Sequence, residues 1–365
     1  MADRVGLGPV AGHPLAYPTI TYKTTRAHPC RRDVLGRLGA RFDHNGGMRY
    51  VEAAGETISR IGLGTWQFGS REWGYGEDYA TREADAIVER ALELGINFFD
   101  TAEAYASGRS EEILGRALAG RRAFIATKFL PVVPLPGRIE RSARESRSRL
   151  GIEEIDLYQM HWPNPAFPVR LGMEGMRRVH RAGIARHLGV SNYSLRRWKR
   201  SEQALGSPIF SNQVLFNLVR RQPLRKLIPF AASNDRIVIA YSPLAQGLLS
   251  GKYHSDNPLK GFRRRNPLNP LASPANLHRA APLIDTLREI GSAHGATPAQ
   301  VALSWVLSHP NTVAIPGAGS AAHVEENAEA VDLSLSEDEI VRLGDVADSL
   351  QLKGGIAGAI ETIRR

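Results

Sequence analysis

From Arg60 onward the chain alternates, eight times over, between a short apolar run and a stretch with helical character. This alternation constrains the fold more than any other feature, because a strand followed by a helical crossover comes back parallel to its predecessor. The apolar runs fall at 60–66, 97–102, 123–128, 156–161, 186–191, 209–215, 237–242 and 313–317. Thr81 is placed to cap a helix over 82–94 that Gly95 ends, and Ser110 to cap one over 111–118 that Gly120 ends. Residues 274–293, 297–308 and 336–349 have the same helical pattern. Eight strands with eight crossovers close most simply into an α/β (β/α)8 TIM barrel, with an open doubly wound sheet as the runner-up.

Ahead of the alternation the chain changes character. Residues 1–47 mix Pro, Gly and Arg without a sustained period and read as a poorly ordered extension, leaving 48–365 as a single barrel domain. Met48-Arg-Tyr-Val-Glu, the turn Ala54-Gly55 and then Glu56-Thr-Ile-Ser predict a hairpin before the first barrel strand. Two starts are open, Met1 and Met48, and the second would make the extension an upstream translation.

A chain of 365 residues accommodates one barrel, which takes about 250, plus extensions. No run reaches the roughly 18 apolar residues of a membrane span. The only cysteine, Cys30, rules out an intrachain disulfide or a cysteine metal cluster, and a reducing cytoplasmic setting follows. Arg31-Arg32 is no twin-arginine export signal, since Asp33, Arg37 and Arg41 interrupt the apolar segment it would need. The formal charge of +10 is spread over the extension, the segment 138–149 and the cluster Lys260, Arg263, Arg264, Arg265. Without an interleaved aromatic stripe, that distribution describes a solvated surface rather than a nucleic-acid interface.

Active sites of this barrel lie at the C-terminal ends of the strands, so reactive side chains should follow the apolar runs. Asp100 lies near the end of the second and Tyr105 just after it, Lys128 ends the third, and His161 ends the fourth. Ser191 and Asn192 follow the fifth, Gln213 lies on the sixth, and Tyr241 and Ser242 end the seventh. The first four suit carbonyl reduction. Hydride addition puts negative charge on the carbonyl oxygen, which must be stabilised and protonated. Tyr105 is the expected general acid, Lys128 favours its phenolate, Asp100 anchors Lys128, and His161 donates to the same oxygen. Taken singly, each is more often a structural residue, and an Asp–Lys pair usually is. Their convergence on one rim turns the balance toward function.

A resemblance strengthens that reading. The motifs Phe99-Asp-Thr-Ala-Glu-Ala-Tyr105, Gly108-Arg-Ser-Glu-Glu-Ile-Leu-Gly115, Ala126-Thr-Lys128, Asp156-Leu-Tyr-Gln-Met-His-Trp-Pro163 and Gly189-Val-Ser-Asn-Tyr193 resemble those of the aldo/keto reductase superfamily. So do Ser211-Asn-Gln-Val-Leu-Phe-Asn217, the run 240–253 and Ile315-Pro-Gly-Ala-Gly319, so the likeness extends from about Met48 to Leu350. It implies that Asp100, Tyr105, Lys128 and His161 form the catalytic tetrad of an NAD(P)H-dependent oxidoreductase that turns aldehydes or ketones into alcohols. It further implies that Ser191, Asn192 and Gln213 hold the nicotinamide carboxamide and that Tyr241 stacks on the ring. Ser242, Leu244, Gln246 and Gly247 would run over the pyrophosphate, and Gly64, Thr65 and Trp66 would touch cofactor or substrate. Gly317, Ser320, His323, Glu326 and Asn327 would meet the adenosine end. Two positions depart from the family pattern. Gly317-Ala-Gly-Ser320 stands where relatives that grip a 2′-phosphate often carry a basic residue, and Ala106 stands where many have Gly. NADPH is the expected cofactor, NADH the alternative, and Arg263–Arg265 could supply the missing charge. A small carbonyl compound is the expected partner and a monomer the family-based default.

Two other classes compete. A cofactor-sensing regulatory subunit, like the channel β subunits whose motif style is similar, would keep the fold with little turnover, although residues 1–47 lack the pattern of a docking arm. Alternatively, Lys128 could form a Schiff base in an aldolase. The histidines show no paired metal-ligand spacing, so no metal is expected. Trp66, Trp73, Tyr75 and Trp162 suggest an aromatic-lined mouth.

Overall fold

The computed structural model describes residues 47–69, 77–254, 257 and 274–350. The extension up to residue 46, Trp73, Tyr75 and Arg263–Arg265 therefore lie outside the described residues. Strands β1 (Tyr50–Ala53) and β2 (Glu56–Ser59) form the predicted antiparallel hairpin. Then come β3 (Leu63–Gly64), α1 (Glu77–Glu93), β4 (Phe98–Asp100), α2 (Arg109–Leu118), β5 (Phe124–Phe129), α3 (Pro136–Leu150) and β6 (Ile155–Met160). The order continues with α4 (Val169–Arg181), β7 (Ala185–Ser191), α5 (Leu195–Leu205), β8 (Ser211–Leu215), α6 (Leu227–Ser233) and β9 (Ile237–Tyr241). Last are α7 (Pro274–His294), α8 (Pro298–Leu307), β10 (Thr312–Ile315), α9 (Ala321–Glu329) and α10 (Glu337–Ser349).

Strands β3 to β10 pair in parallel and in sequence order, each with the next. Parallel bridges Ile61–Ala314 and Gly64–Gly317 join the first strand to the last, with Gly62 N donating to Ala314 O at 2.8 Å and Ala314 N to Arg60 O at 2.9 Å. These bonds close the barrel and exclude the open doubly wound sheet. The seam also explains why the first strand is shorter than the run 60–66: only Leu63 and Gly64 form a continuous ladder with β4.

Side chains alternate across each strand, and here both faces are covered, so β5 and β6 are buried from end to end. One face packs on the helices through residues such as Phe99, Ile125, Tyr158, Val190 and Ala240. On the opposite face Phe98, Phe124, Ala126, Leu157, Ile239 and Val313 gather with Val51, Ala53 and Ile58 of the hairpin. The hairpin thus packs on the apolar filling of the barrel. Further along the same inward face the register brings polar residues, Asp100 beyond Phe98 and Lys128 beyond Ala126, toward the C-terminal rim.

Two expected caps are corrected. The first helix starts at Glu77, so Thr81 lies within it, and α2 starts at Arg109 after a left-handed Gly108, so Ser110 lies in its first turn. The Ser110 hydroxyl donates instead to Thr65 O at 2.8 Å and accepts from Thr101 Oγ1 at 3.0 Å. Thr297 and Ser336 do cap α8 and α10, each with a full capping box completed by Gln300 or Glu339. Among the described residues no helix is long and apolar enough to cross a membrane.

Candidate active site

Lys128 lies on β5 with no exposed surface, and an ammonium so placed must be paired. Its Nζ donates to Asp100 Oδ1 at 2.5 Å, to Thr101 O at 2.8 Å and to Tyr105 OH at 3.2 Å, which uses all three hydrogens. Asp100 Oδ2 accepts from Gln213 Nε2 at 2.7 Å and from Gln159 Nε2 at 3.5 Å. Gln159 Oε1 in turn accepts from Ser211 Oγ at 3.3 Å. Burial pushes the Asp100 carboxyl up and the Lys128 ammonium down, and their mutual contact opposes both shifts.

Tyr105 opens a tight turn in which Ala106 (φ 47°), Ser107 (φ 57°) and Gly108 (φ 92°) are successively left-handed. This conformation costs an L-residue roughly 1–2 kcal/mol, so Ala106 occupies a position better suited to the glycine of many relatives. His161 follows β6, and its ring meets that of Tyr105 edge-on with centroids 5.8 Å apart and stacks on Trp162 at 6.0 Å. Its Nδ1 is buried without a hydrogen-bond partner. Burial, helped by the Lys128 charge, pushes the imidazole down to about 3, so it is neutral near pH 7. The four residues read as a set from the sequence therefore meet at one place.

A second connected group lies on the neighbouring strand ends. Ser191 Oγ donates to Gln213 O at 2.9 Å, and Asn192 Nδ2 donates to Ser191 Oγ at 3.0 Å and to His161 O at 3.3 Å. Tyr241 OH donates to Asn192 Oδ1 at 3.0 Å. After β9 the backbone is left-handed at Ser242, Ala245, Gln246 and Gly247, with Gln246 exposed and Leu244 half-buried. Gly317 is exposed, and a Cβ there would stand 2.9 Å from Gln67 Oε1, whose amide donates to Ala318 O at 2.8 Å.

Other predicted positions are committed elsewhere. Thr65 is fully buried, its hydroxyl bonded to Asp100 O at 3.0 Å and to Ser110 Oγ at 2.9 Å, whereas Trp66 is 42% exposed beside Gly64. Ser320 caps α9 by accepting from His323 N at 3.3 Å, the Glu326 carboxylate accepts from Thr297 Oγ1 at 2.9 Å, and Asn327 is buried. His323 is exposed. Sequence reasoning passed over Gln159, although its place two residues before His161 puts it on the same strand face. It also passed over Gln67, Glu103 and Glu111, whose roles depend on partners distant in sequence.

The donors fit a nicotinamide. Amide and hydroxyl groups of Ser191, Asn192 and Gln213 complement a carboxamide, and the half-buried Tyr241 ring is held beside them by its hydroxyl. The segment 317–323, where the adenosine end was expected, carries Ser320 at the helix start and His323 but no lysine or arginine of its own.

The profile of the aldo/keto reductase family matches residues 60–348. An uncharacterized oxidoreductase of Mycobacterium tuberculosis is 51% identical over 303 residues, 82% of this chain and 93% of that protein. The methylglyoxal reductase YeaE of Escherichia coli is 32% identical over 300 residues, 81% and 93% of the two chains. The crystal structure of an aldo/keto reductase from Klebsiella pneumoniae in complex with NADP and acetate superposes with a TM-score of 0.64 at 29% identity, covering 83% of this chain and 96% of that one.

Proposed function

Because the chain belongs to the aldo/keto reductase family of oxidoreductases, we propose that it reduces aldehydes or ketones to alcohols with NADPH as hydride donor. The observation that carries this reading is the single ammonium of Lys128 shared between Asp100 and the Tyr105 hydroxyl, beside a neutral His161.

When bound, the cofactor supplies the hydride. Ser191, Asn192 and Gln213 would hold its carboxamide and Tyr241 its ring, so that one ring face meets the substrate. Tyr105 gives its proton to the carbonyl oxygen as negative charge develops there. Lys128 stabilises the phenolate left behind, and Asp100 keeps that ammonium charged and in place. His161, neutral and edge-on to the Tyr105 ring, would donate to the same oxygen through an Nε2 hydrogen. A Schiff-base role for Lys128 fits poorly, since Nζ is buried and engaged by three acceptors.

NADPH is preferred because the Klebsiella pneumoniae relative is a complex with NADP. Apolar surface frames the rim: Trp66, Val132 and Leu135 are exposed in loops that follow barrel strands, and Trp162 lies beside His161. That setting favours a carbonyl compound with an apolar substituent.

The test follows loss of reduced-nicotinamide absorbance across small aldehydes, dicarbonyls, quinones, ketosteroids and sugar aldehydes, with NADPH and NADH in parallel. Tyr105→Phe should lower kcat by about 10²- to 10⁴-fold while cofactor binding persists. Tight NADPH binding with no turnover over the whole panel would replace this reading with that of a regulatory subunit.

A further inference from the structure

Tyr105 lies between two acidic residues, Glu103 and Glu111, which make parallel attachments. Glu103 accepts from Leu130 N at 2.6 Å through one oxygen and from Ser142 Oγ through the other. Glu111, fully buried, accepts from Thr127 Oγ1 at 2.5 Å through one oxygen and pairs with Arg149 Nε at 2.6 Å through the other. Thr127 and Leu130 bracket Lys128, while Ser142 and Arg149 both belong to α3. Glu111 therefore ties the segment carrying Tyr105 to the strand carrying Lys128, Glu103 ties it to the residue just past that strand, and both tie it to the same supporting helix. Arg149 also braces the turn directly: a Cβ on Gly108 would come 2.7 Å from its Nε.

Packing alone gives no reason for this arrangement. A buried ion pair can often be replaced by apolar residues of similar volume with no loss of stability, so its use here calls for a geometric explanation. The turn at 106–108 is held in a sparsely populated conformation, which persists only where its surroundings over-determine it.

We propose that Glu103 and Glu111, the latter with Arg149, form a two-point clamp that fixes the Tyr105 hydroxyl against the Lys128 ammonium. They are positioning residues, and the inference rests on the reading of Tyr105 as proton donor.

The test uses the full chain with three variants. Glu103→Ala removes one clip. The double variant Glu111→Leu/Arg149→Met removes the other and leaves no buried charge unpaired. Glu103→Gln keeps an acceptor for Leu130 N and a partner for Ser142. Three quantities are read: kcat per NADPH-binding site, NADPH affinity by fluorescence titration, and the fluorine NMR line of a fluorotyrosine at position 105. The first two variants should lose about tenfold to hundredfold in kcat, as sub-ångström misplacement would produce. Their NADPH affinity should hold, because the proposed cofactor contacts sit on other strands, and their fluorine line should shift or broaden. Glu103→Gln should match wild type in all three. Unchanged kcat and an unmoved fluorine line in both disabling variants would overturn the clamp, as would Glu103→Gln behaving like Glu103→Ala. An inert wild type, or a Tyr105→Phe variant with full activity, would instead remove the functional reading, and the turnover-free fluorine line would then decide the clamp alone.

Discussion

Lys128 shows how one residue can serve stability and chemistry at once. Its ammonium and the Asp100 carboxylate are both buried, and removing one partner strands the other in a low dielectric. Lys128→Met should therefore destabilise the fold by about 3–5 kcal/mol in urea unfolding, besides abolishing turnover. Asp100→Leu/Lys128→Met should recover much of that stability and none of the activity. If the double variant melts no higher than the single one, the loss comes from packing and not from a stranded charge. The tetrad was legible in the sequence because each member lies in the C-terminal part of an apolar run or within three residues after one. Gln159 and Gln213 were not legible as partners of Asp100, because these hydrogen bonds span 59 and 113 positions along the chain.

At the scale of elements, close approach decides which glycines matter. Gly115 of α2 lies flush on the backbone of Leu150 at the end of α3, where an added Cβ would overlap the Leu150 carbonyl. Gly115→Ala should cost roughly 1–3 kcal/mol, and because α2 and α3 carry the supports of the Tyr105 turn it should lower activity as well. Gly137, in the first turn of α3, has open space around it, so Gly137→Ala should be neutral or raise stability by up to about 1 kcal/mol. Comparing the two urea midpoints checks the pair, and equal effects would refute the packing argument. The helix starts misread at Thr81 and Ser110 have different causes. Both are good capping residue types, but the first helix begins at Glu77, and Ser110 faces a buried polar partner set that only the folded barrel assembles.

At the scale of the whole molecule, the seam that closes the barrel carries a pH dependence. His309, just beyond α8, is 7% exposed, and its backbone oxygen accepts from Arg60 Nη2 at 2.7 Å beside the junction of β3 and β10. Burial, then the charges of Arg60 and Arg221, push its imidazole down to about 3 from the usual 6.5. Between those values the unfolded chain binds a proton that the folded one refuses, so stability falls as pH drops from 6.5 toward 3. The slope is about 1.4 kcal/mol per pH unit for this group. His309→Phe should flatten the dependence by that amount between about pH 6.5 and 4.5, and an identical slope in the two proteins would refute the assignment. By itself the sequence determined the parallel eightfold alternation, the leading hairpin and the family, since these rest on local periodicity and on motifs whose residues are close along the chain. Tertiary structure alone decided that the sheet closes at Ile61–Ala314, that the Lys128 ammonium bonds both Asp100 and Tyr105 on the rim the sequence had predicted, and that Glu103 and Glu111 brace the turn that follows Tyr105. The physical reason is that ion pairs and hydrogen bonds between distant residues exist only once the chain has closed on itself, and no local pattern encodes which partner each group will meet.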